Sequence, residues 1–546
     1  MTISIRRKHM KTMKILCQTR NNLLNGLLVL IGISILLLLW SFSTGVEGRI
    51  WSGTKYIDQL IDARLKEEGI KPSKQSSDAE FLRRVHLDLT GKIPTVEAVV
   101  SFLEDGSRNK REKKIDELIG SELYLDYWTR LWTNWLIGRD DNDMERRLGL
   151  ERWIRASLAR NMPYNQFVTA LIAAEGNIEE NGAANYLLRY ELSPVDLASH
   201  TSRLFLGLPM QCAQCHDHKT EAWYQEDFYG LAAFFANIRV EEAFKMDKDS
   251  GERVTERYLK NVPKGSVYMP ETDEPTPPSF LDGTRPTTPT VKQRQALSKW
   301  MTAKDNPYFC HAIVNRIWAH FMGRGFVEPL DGFGEEYPPS NPALLDWLAK
   351  DFMIHGYDLR YLMRTLLNTK TYQRTSETNK SNQNDDLYYS HAYVKPLTAE
   401  QFFYSMLEST GFERLQKRRD RGQLEEMKRR YLERFLFLID NGEMEEVEAF
   451  NGTVPQALMM INGPLVNDSG SHKERGGLLH YILKTKRTKR ARLDQIYLTT
   501  LSRYPRTSER TYFDRYLRSS LYRNDALAYE DLYWALLNSA EFALNH

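Results

Sequence analysis

From Tyr56 onward, apolar positions recur at helical spacing almost without a break. Ile57, Leu60, Ile61 and Leu65 make one face at i, i+3, i+4 and i+8. Thr95, following Pro94, predicts an N-cap for a helix carrying Val96, Val99, Val100 and Leu103. Tyr124, Trp128, Leu131, Trp132 and Trp135 share a second stripe; it could wall a cofactor or seat a sugar, but core packing is the simpler reading. Ser193, Pro194 and Asp196 supply the cap, first position and first-turn acid of a helix with Val195, Leu197 and Leu204, closed by Gly207. Asn306-Pro307 opens a helix bearing Ile313, Val314, Ile317, Trp318 and Phe321 that ends near Gly323. Asn341-Pro342 opens another that ends at Gly356, Asp358 caps a third, and Thr398 with Gln401 forms a capping box.

The helical pattern weakens between Glu241 and Gln295, where Pro270, Pro275, Pro277, Pro278, Pro286 and Pro289 fall. Extended backbone is expected there, with a short strand around Ser266–Met269. The fold class expected is therefore mainly α: a helical domain over 54–240, a Pro-rich connector over 241–295 and a second helical domain over 296–546.

The first 48 residues differ in character. They hold Arg6, Arg7, Lys8, Lys11, Lys14 and Arg20 against a single acid, Glu47, and then the apolar run Leu27–Trp40. A basic flank, an apolar core and the small residues Ser43, Thr44, Gly45 and Gly48 predict an export signal. Extended back to Leu23, the run reaches 18 residues, enough for an uncleaved anchor as well as a cleaved signal. Either way everything after residue 48 is expected outside the cytoplasmic membrane, on the periplasmic side, anchored or secreted.

That leader also changes the charge. The whole chain carries +2, but the leader holds six of its 74 basic residues and one of its 72 acids, which leaves 68 against 71, a net of −3. Such a body has no electrostatic footprint for nucleic acid. Hydrophobic content of 42% and aromatic content of 11% suit a folded protein of two or three domains. The basic runs Arg414–Arg434 and Lys484–Arg492 read as solvated helix faces. His311 and His320, nine positions apart on one helix, make no i, i+4 metal pair, and no Gly-rich phosphate loop, G-x-S-x-G or H-E-x-x-H is present.

One stretch carries chemistry. Gln211–His218 reads Gln-Cys-Ala-Gln-Cys-His-Asp-His, using two of the four cysteines in the chain. Cys212, Cys215 and His216 have the C-x-x-C-H spacing of c-type haem attachment, with two thiols to add to the vinyl groups and an adjacent imidazole as proximal iron ligand. Three other readings stay open: a redox or structural disulfide between Cys212 and Cys215, a zinc site using Cys212, Cys215, His216 and His218, and a motif that binds nothing. Export suits haem and disulfide better than reduced zinc thiolates. For a distal ligand, Met210 and His218 lie close to the motif along the chain, and His200 or a residue of the second domain is an equal candidate. Trp223, Tyr224, Phe228, Tyr229, Phe234 and Phe235 would suit a planar cofactor or an ordinary core.

Several stretches together resemble the two-domain, planctomycete-type family of exported proteins of unknown function, in which a cytochrome-associated domain precedes a second specific domain. For the first domain these are Arg83-Arg84-Val85-His86-Leu87-Asp88-Leu89-Thr90-Gly91 with Ile93-Pro94-Thr95, then Leu206-Gly207, Cys212–His218, Trp223 and Glu226-Asp227-Phe228-Tyr229-Gly230. For the second they are Asn306-Pro307-Tyr308-Phe309, Val314-Asn315-Arg316-Ile317-Trp318, Gly323-Arg324-Gly325, His355-Gly356-Tyr357-Asp358-Leu359, Leu397-Thr398-Ala399-Glu400-Gln401 and the closing Leu536–Ser539, Glu541-Phe542 and Asn545-His546. The resemblance implies association with cytochromes without implying an activity. Family members often place a separate cytochrome c domain ahead of these two, so in this chain haem is expected at Cys212–His216.

Three functions follow as expectations. The first is a c-type haem redox or electron-transfer protein, held at the membrane by its N-terminal helix and served by a redox partner or other exported protein. The second is a non-catalytic surface scaffold with a disulfide or zinc knot at Cys212–His218. The third is an exported polysaccharide-processing enzyme, for which the sequence reveals no acid pair.

Overall fold

The structure is a computed structural model. It describes residues 53–546 apart from 140–142, 218–220, 247–252, 271, 273, 288–291, 413–419, 440–470, 474–476 and 520–523. The expected export signal and anchor, residues 1–48, therefore lie outside the described residues. Among the described residues no helix is long and apolar enough to cross a membrane.

The chain is mainly helical, as the periodicity predicts. Start signals act where expected. Thr95 accepts from Ala98 N, Ser193 from Asp196 N and Asn341 from Leu344 N, and the Thr398–Gln401 capping box closes in both directions. At Asn306-Pro307 the helix proper is Phe309–Met322, and Asn306 Oδ1 takes the Tyr308 and Phe309 N–H groups at its start. Gly207 and Gly323 close their helices in the left-handed region, at φ 70° and 88°.

Residues Ile57–His546 form one compact unit. Its core divides into two clusters, and the division does not fall at the connector. The larger cluster combines side chains from Ile57 to Val267 with Leu297 to Tyr389 and with Leu498, including the whole Tyr124–Trp135 stripe. The smaller combines Leu397 to Phe542 with just two residues of the first segment, Leu87 and Ile93. The helix Asp78–Thr90 sits at the junction, with Phe81, Leu82, Val85 and Leu89 in one cluster and Leu87 in the other. From Phe81 to Thr90 every residue of this helix is buried, the charged ones included.

The connector is more ordered than an extended tether. Ile238–Met246 and Arg253–Asn261 pair antiparallel over nine positions, and Gly176–Asn177 adds to the far side of Arg253–Asn261. The strand expected around Ser266–Met269 is present as Val267–Tyr268, paired with Pro275–Thr276. Phe280 then stacks between Phe234 and Trp300, with ring centroids 4.9 and 5.4 Å away, and fixes the end of the connector to the helical body.

Candidate functional site

Two of the signature stretches lie in opposite environments. Arg83, Arg84, His86 and Asp88, all charged or titratable, are buried in the Asp78–Thr90 helix, Arg83 and Asp88 to 1% exposure. Their partners come from the far end of the chain. Arg83 donates to the Thr500, Glu541 and Phe542 carbonyls at 3.2, 3.4 and 2.8 Å. Arg84 donates to the Tyr372, Arg374 and His546 carbonyls at 2.6, 2.9 and 3.3 Å and pairs with Glu80 at 2.8 Å. The Asp88 carboxylate accepts from Tyr372 Oη, Lys395 Nζ and Asn545 Nδ2 at 2.8, 2.9 and 2.8 Å. Its backbone carbonyl faces His320 Nε2 at 2.9 Å. Both terminal nitrogens of Arg83 and the Nε and Nη1 of Arg84 meet backbone carbonyls, and Arg84 Nη2 meets the Glu80 carboxylate, while Arg83 Nε has no partner among the described residues. The arrangement is a latch between the two signature segments, with its hydrogen bonds used internally.

The C-x-x-C-H stretch is the reverse case. The chain leaves Pro194–Thr201 through one π turn, Ser202–Leu206, reverses at Gly207 and enters the 3₁₀ turn Met210–Gln214. Met210 and Ala213 point into the core, while Cys212, Cys215 and His216 are exposed and both cysteines are free thiols. His216 Nδ1 lies 2.7 Å from the Asp217 carbonyl. A carbonyl can only accept, so Nδ1 carries the proton and the Nε2 lone pair is left over. Nε2 makes no hydrogen bond among the described residues.

The helix Gln225–Ala232 holds this turn from beneath. Gln225 N donates to Asp217 Oδ1 at 3.0 Å, and Gln225 Nε2 and Tyr229 Oη both reach the Gln214 carbonyl, at 3.1 and 3.3 Å. Burial first, and then the Cys215 sulfur, push the Tyr229 hydroxyl above its ordinary range. The second segment holds the turn from the side. Phe333 N donates to the Gly207 carbonyl at 3.0 Å, and Glu221 accepts from Glu335 N and Glu336 N at 3.0 and 3.1 Å. A Cβ at Gly207 would overlap the Phe333 ring, and one at Gly334 the Glu221 carboxylate. Trp223 meets Tyr308 edge-on at 6.2 Å.

Other expected residues are placed elsewhere. His200, a candidate distal ligand, is half-buried between Tyr186 and Tyr190, its Nδ1 3.4 Å from Tyr186 Oη. Burial, then the Arg203 charge, lower its pKa to about 3. Met210, another candidate, is fully buried on the core side of the turn. Phe228, Tyr229, Phe234 and Phe235 are core, and only half-buried Trp223 and exposed Tyr224 remain beside the motif. His311 pairs with Asp346 at 2.8 Å. His218 lies outside the described residues, and among the described ones no group of three or more His, Cys, Asp or Glu side chains is placed to hold a metal ion. Sequence reasoning missed Gln225, Glu221 and the Phe333–Glu336 loop, which carry no motif of their own.

Two accessible thiols three positions apart and an imidazole with a spare Nε2, all on one turn, fit the donors of a covalently attached haem. Residues 56–240 match the family PSCyt2, protein of unknown function (DUF1549), and residues 293–517 match PSD1, protein of unknown function (DUF1553). The chain therefore has the two-domain, planctomycete-type arrangement expected from its motifs. No curated protein and no solved structure matches it.

Proposed function

We propose that the protein is an exported c-type haem redox or electron-transfer protein. Cys212 and Cys215 are the thioether anchors, and His216, through Nε2, is the proximal ligand. One observation carries the reading: the three groups are exposed on a single turn and the Nδ1 of His216 is engaged by a carbonyl, which leaves one nitrogen for a metal. When bound, haem would supply one-electron chemistry. The protein's own residues hold the turn on Gln225 and on the loop at Phe333–Glu336. The basic leader and apolar run support an extracytoplasmic body, the side on which thioether haem is assembled, and a redox partner would approach the exposed face of the turn.

The test is to export the full chain from a host with haem-attachment machinery and to record its intact mass and visible spectrum. A covalent haem mass with a Soret band is expected. Protein that matures without either would overturn the proposal. Chelator-sensitive loss of bound metal in Cys212→Ala, Cys215→Ala, His216→Ala and His218→Ala alike would point instead to a scaffold built on a zinc knot.

A further inference from the structure

We propose that Asp217 is the positioning residue of His216 and that the N-terminus of the helix Gln225–Ala232 is its anchor. The inference rests on the haem reading only for the identity of what His216 binds. The geometry is a short relay. The first N–H of the helix, at Gln225, donates to the Asp217 side chain at 3.0 Å. The Asp217 backbone, held in this way, presents its carbonyl to His216 Nδ1 at 2.7 Å. Gln225 also fixes the other end of the turn, because its side chain donates to the Gln214 carbonyl at 3.1 Å and Tyr229 Oη joins there at 3.3 Å.

Each step has a physical reason. The first N–H groups of a helix lack intrahelical acceptors, and the positive end of the helix favours a carboxylate. Asp217 satisfies one such group, and Tyr224 N is satisfied in parallel by Asp227 Oδ2 at 2.9 Å. An exposed histidine without a partner exchanges its proton between two nitrogens and rotates about two bonds. A carbonyl fixed beside Nδ1 selects one tautomer and one ring orientation, so that Nε2 is ready as ligand before anything binds. Asp217 lies inside the Cys-His-Asp-His string, where a reader counting metal donors would take it for a ligand. In the structure its carboxylate faces the helix.

The test reads the tautomer directly. The full-length chain is labelled with ¹⁵N-histidine, without haem, at a pH well above the ordinary imidazole range, and His216 is assigned by its loss in His216→Gln. Wild type is expected to show the Nδ1–H tautomer. Asp217→Ala should shift the ratio toward Nε2–H by roughly two- to tenfold, the scale of one hydrogen bond. Asp217→Asn keeps an acceptor for Gln225 N–H and should restore the wild-type ratio. Gln225→Pro removes the anchoring N–H at a first helical position that tolerates proline, and it should behave like Asp217→Ala if the latter fails to fold. An Nε2–H tautomer in wild type, or a ratio indifferent to all these changes, would overturn the inference. Absence of covalent haem in exported protein would remove the haem reading and leave the tautomer result standing.

Discussion

The Arg83–Asp88 latch and the Cys212–His216 turn are both signature stretches rich in polar residues, and they are opposites physically. In the latch, charged groups are buried and their donors and acceptors close on one another and on distant backbone. In the turn, two thiols and an imidazole nitrogen face solvent on a backbone pinned from two sides. A buried, satisfied group has no capacity left for a ligand, whereas an exposed group on a rigid mount does. The latch accounts for why the two segments form one unit, and the turn is where chemistry can take place.

The largest separation between the two should come from Asp88→Ala. It removes the counter-charge of Lys395, which keeps only the His320 and Phe321 carbonyls, and the acceptor of Tyr372 and Asn545, so unfolding in urea should show a loss of about 3–5 kcal/mol, the usual cost of breaking one side of a buried pair. Cys215→Ala, measured the same way without haem, should change stability by no more than about 0.5 kcal/mol. Equal effects would erase the distinction drawn between the regions.

Arg84→Lys is the next test. A lysine keeps the charge but cannot serve the carbonyls of Tyr372, Arg374 and His546 and the Glu80 carboxylate together, so about 1–3 kcal/mol should be lost. Full stability in this variant would show that charge alone holds the latch.

Acid should sharpen the contrast further. Burial lowers His86 and His200 to about 3 and His320 to about 4, against 6.5 when unfolded. The unfolded chain therefore binds more protons in this window. The stabilisation is complete above about pH 6.5 and is lost as the pH falls, to about 4 for His320 and about 3 for His86 and His200, at up to about 1.4 kcal/mol per unit for each histidine. Urea midpoints at pH 7 and pH 5 should differ accordingly, and His200→Phe should flatten the dependence. A midpoint that rises on acidification would contradict the burial of these rings.

Among these substitutions in the supports, the smallest effect belongs to Gly334→Ala. The added methyl displaces the Glu221 carboxylate, the mobile end of its side chain, and costs about 0.5–1 kcal/mol, with faster amide exchange at Glu335 and Glu336. Unchanged exchange there would remove the second segment from the support of the turn.

Local features of this architecture were legible in the sequence. Caps such as Thr95, Ser193, Asn341 and Thr398 act on residues two or three positions away, so their signals survive without knowledge of the fold. The C-x-x-C-H turn was equally local. The latch was not legible, because Arg83 meets acceptors more than 400 positions away and nothing near it in sequence reveals them. The pairing of Ile238–Met246 with Arg253–Asn261 was not legible either. Ile238–Met246 is exposed at every position but Ile238, so no buried face imposes an alternation of apolar and polar residues. His200 looked like a possible ligand for the same reason in reverse, since its burial between Tyr186 and Tyr190 depends on packing that the sequence does not display.

We propose that Cys212 and Cys215 serve attachment and contribute little to the fold. The most direct test is the intact mass of wild type, Cys212→Ala and Cys215→Ala exported with haem-attachment machinery, each paired with its urea midpoint as the haem-free chain. The account predicts covalent haem on wild type, haem bound through one fewer thioether and weakly retained in either variant, and three coincident midpoints. Wild type without haem, or cysteine variants that unfold as early as Asp88→Ala, would contradict it.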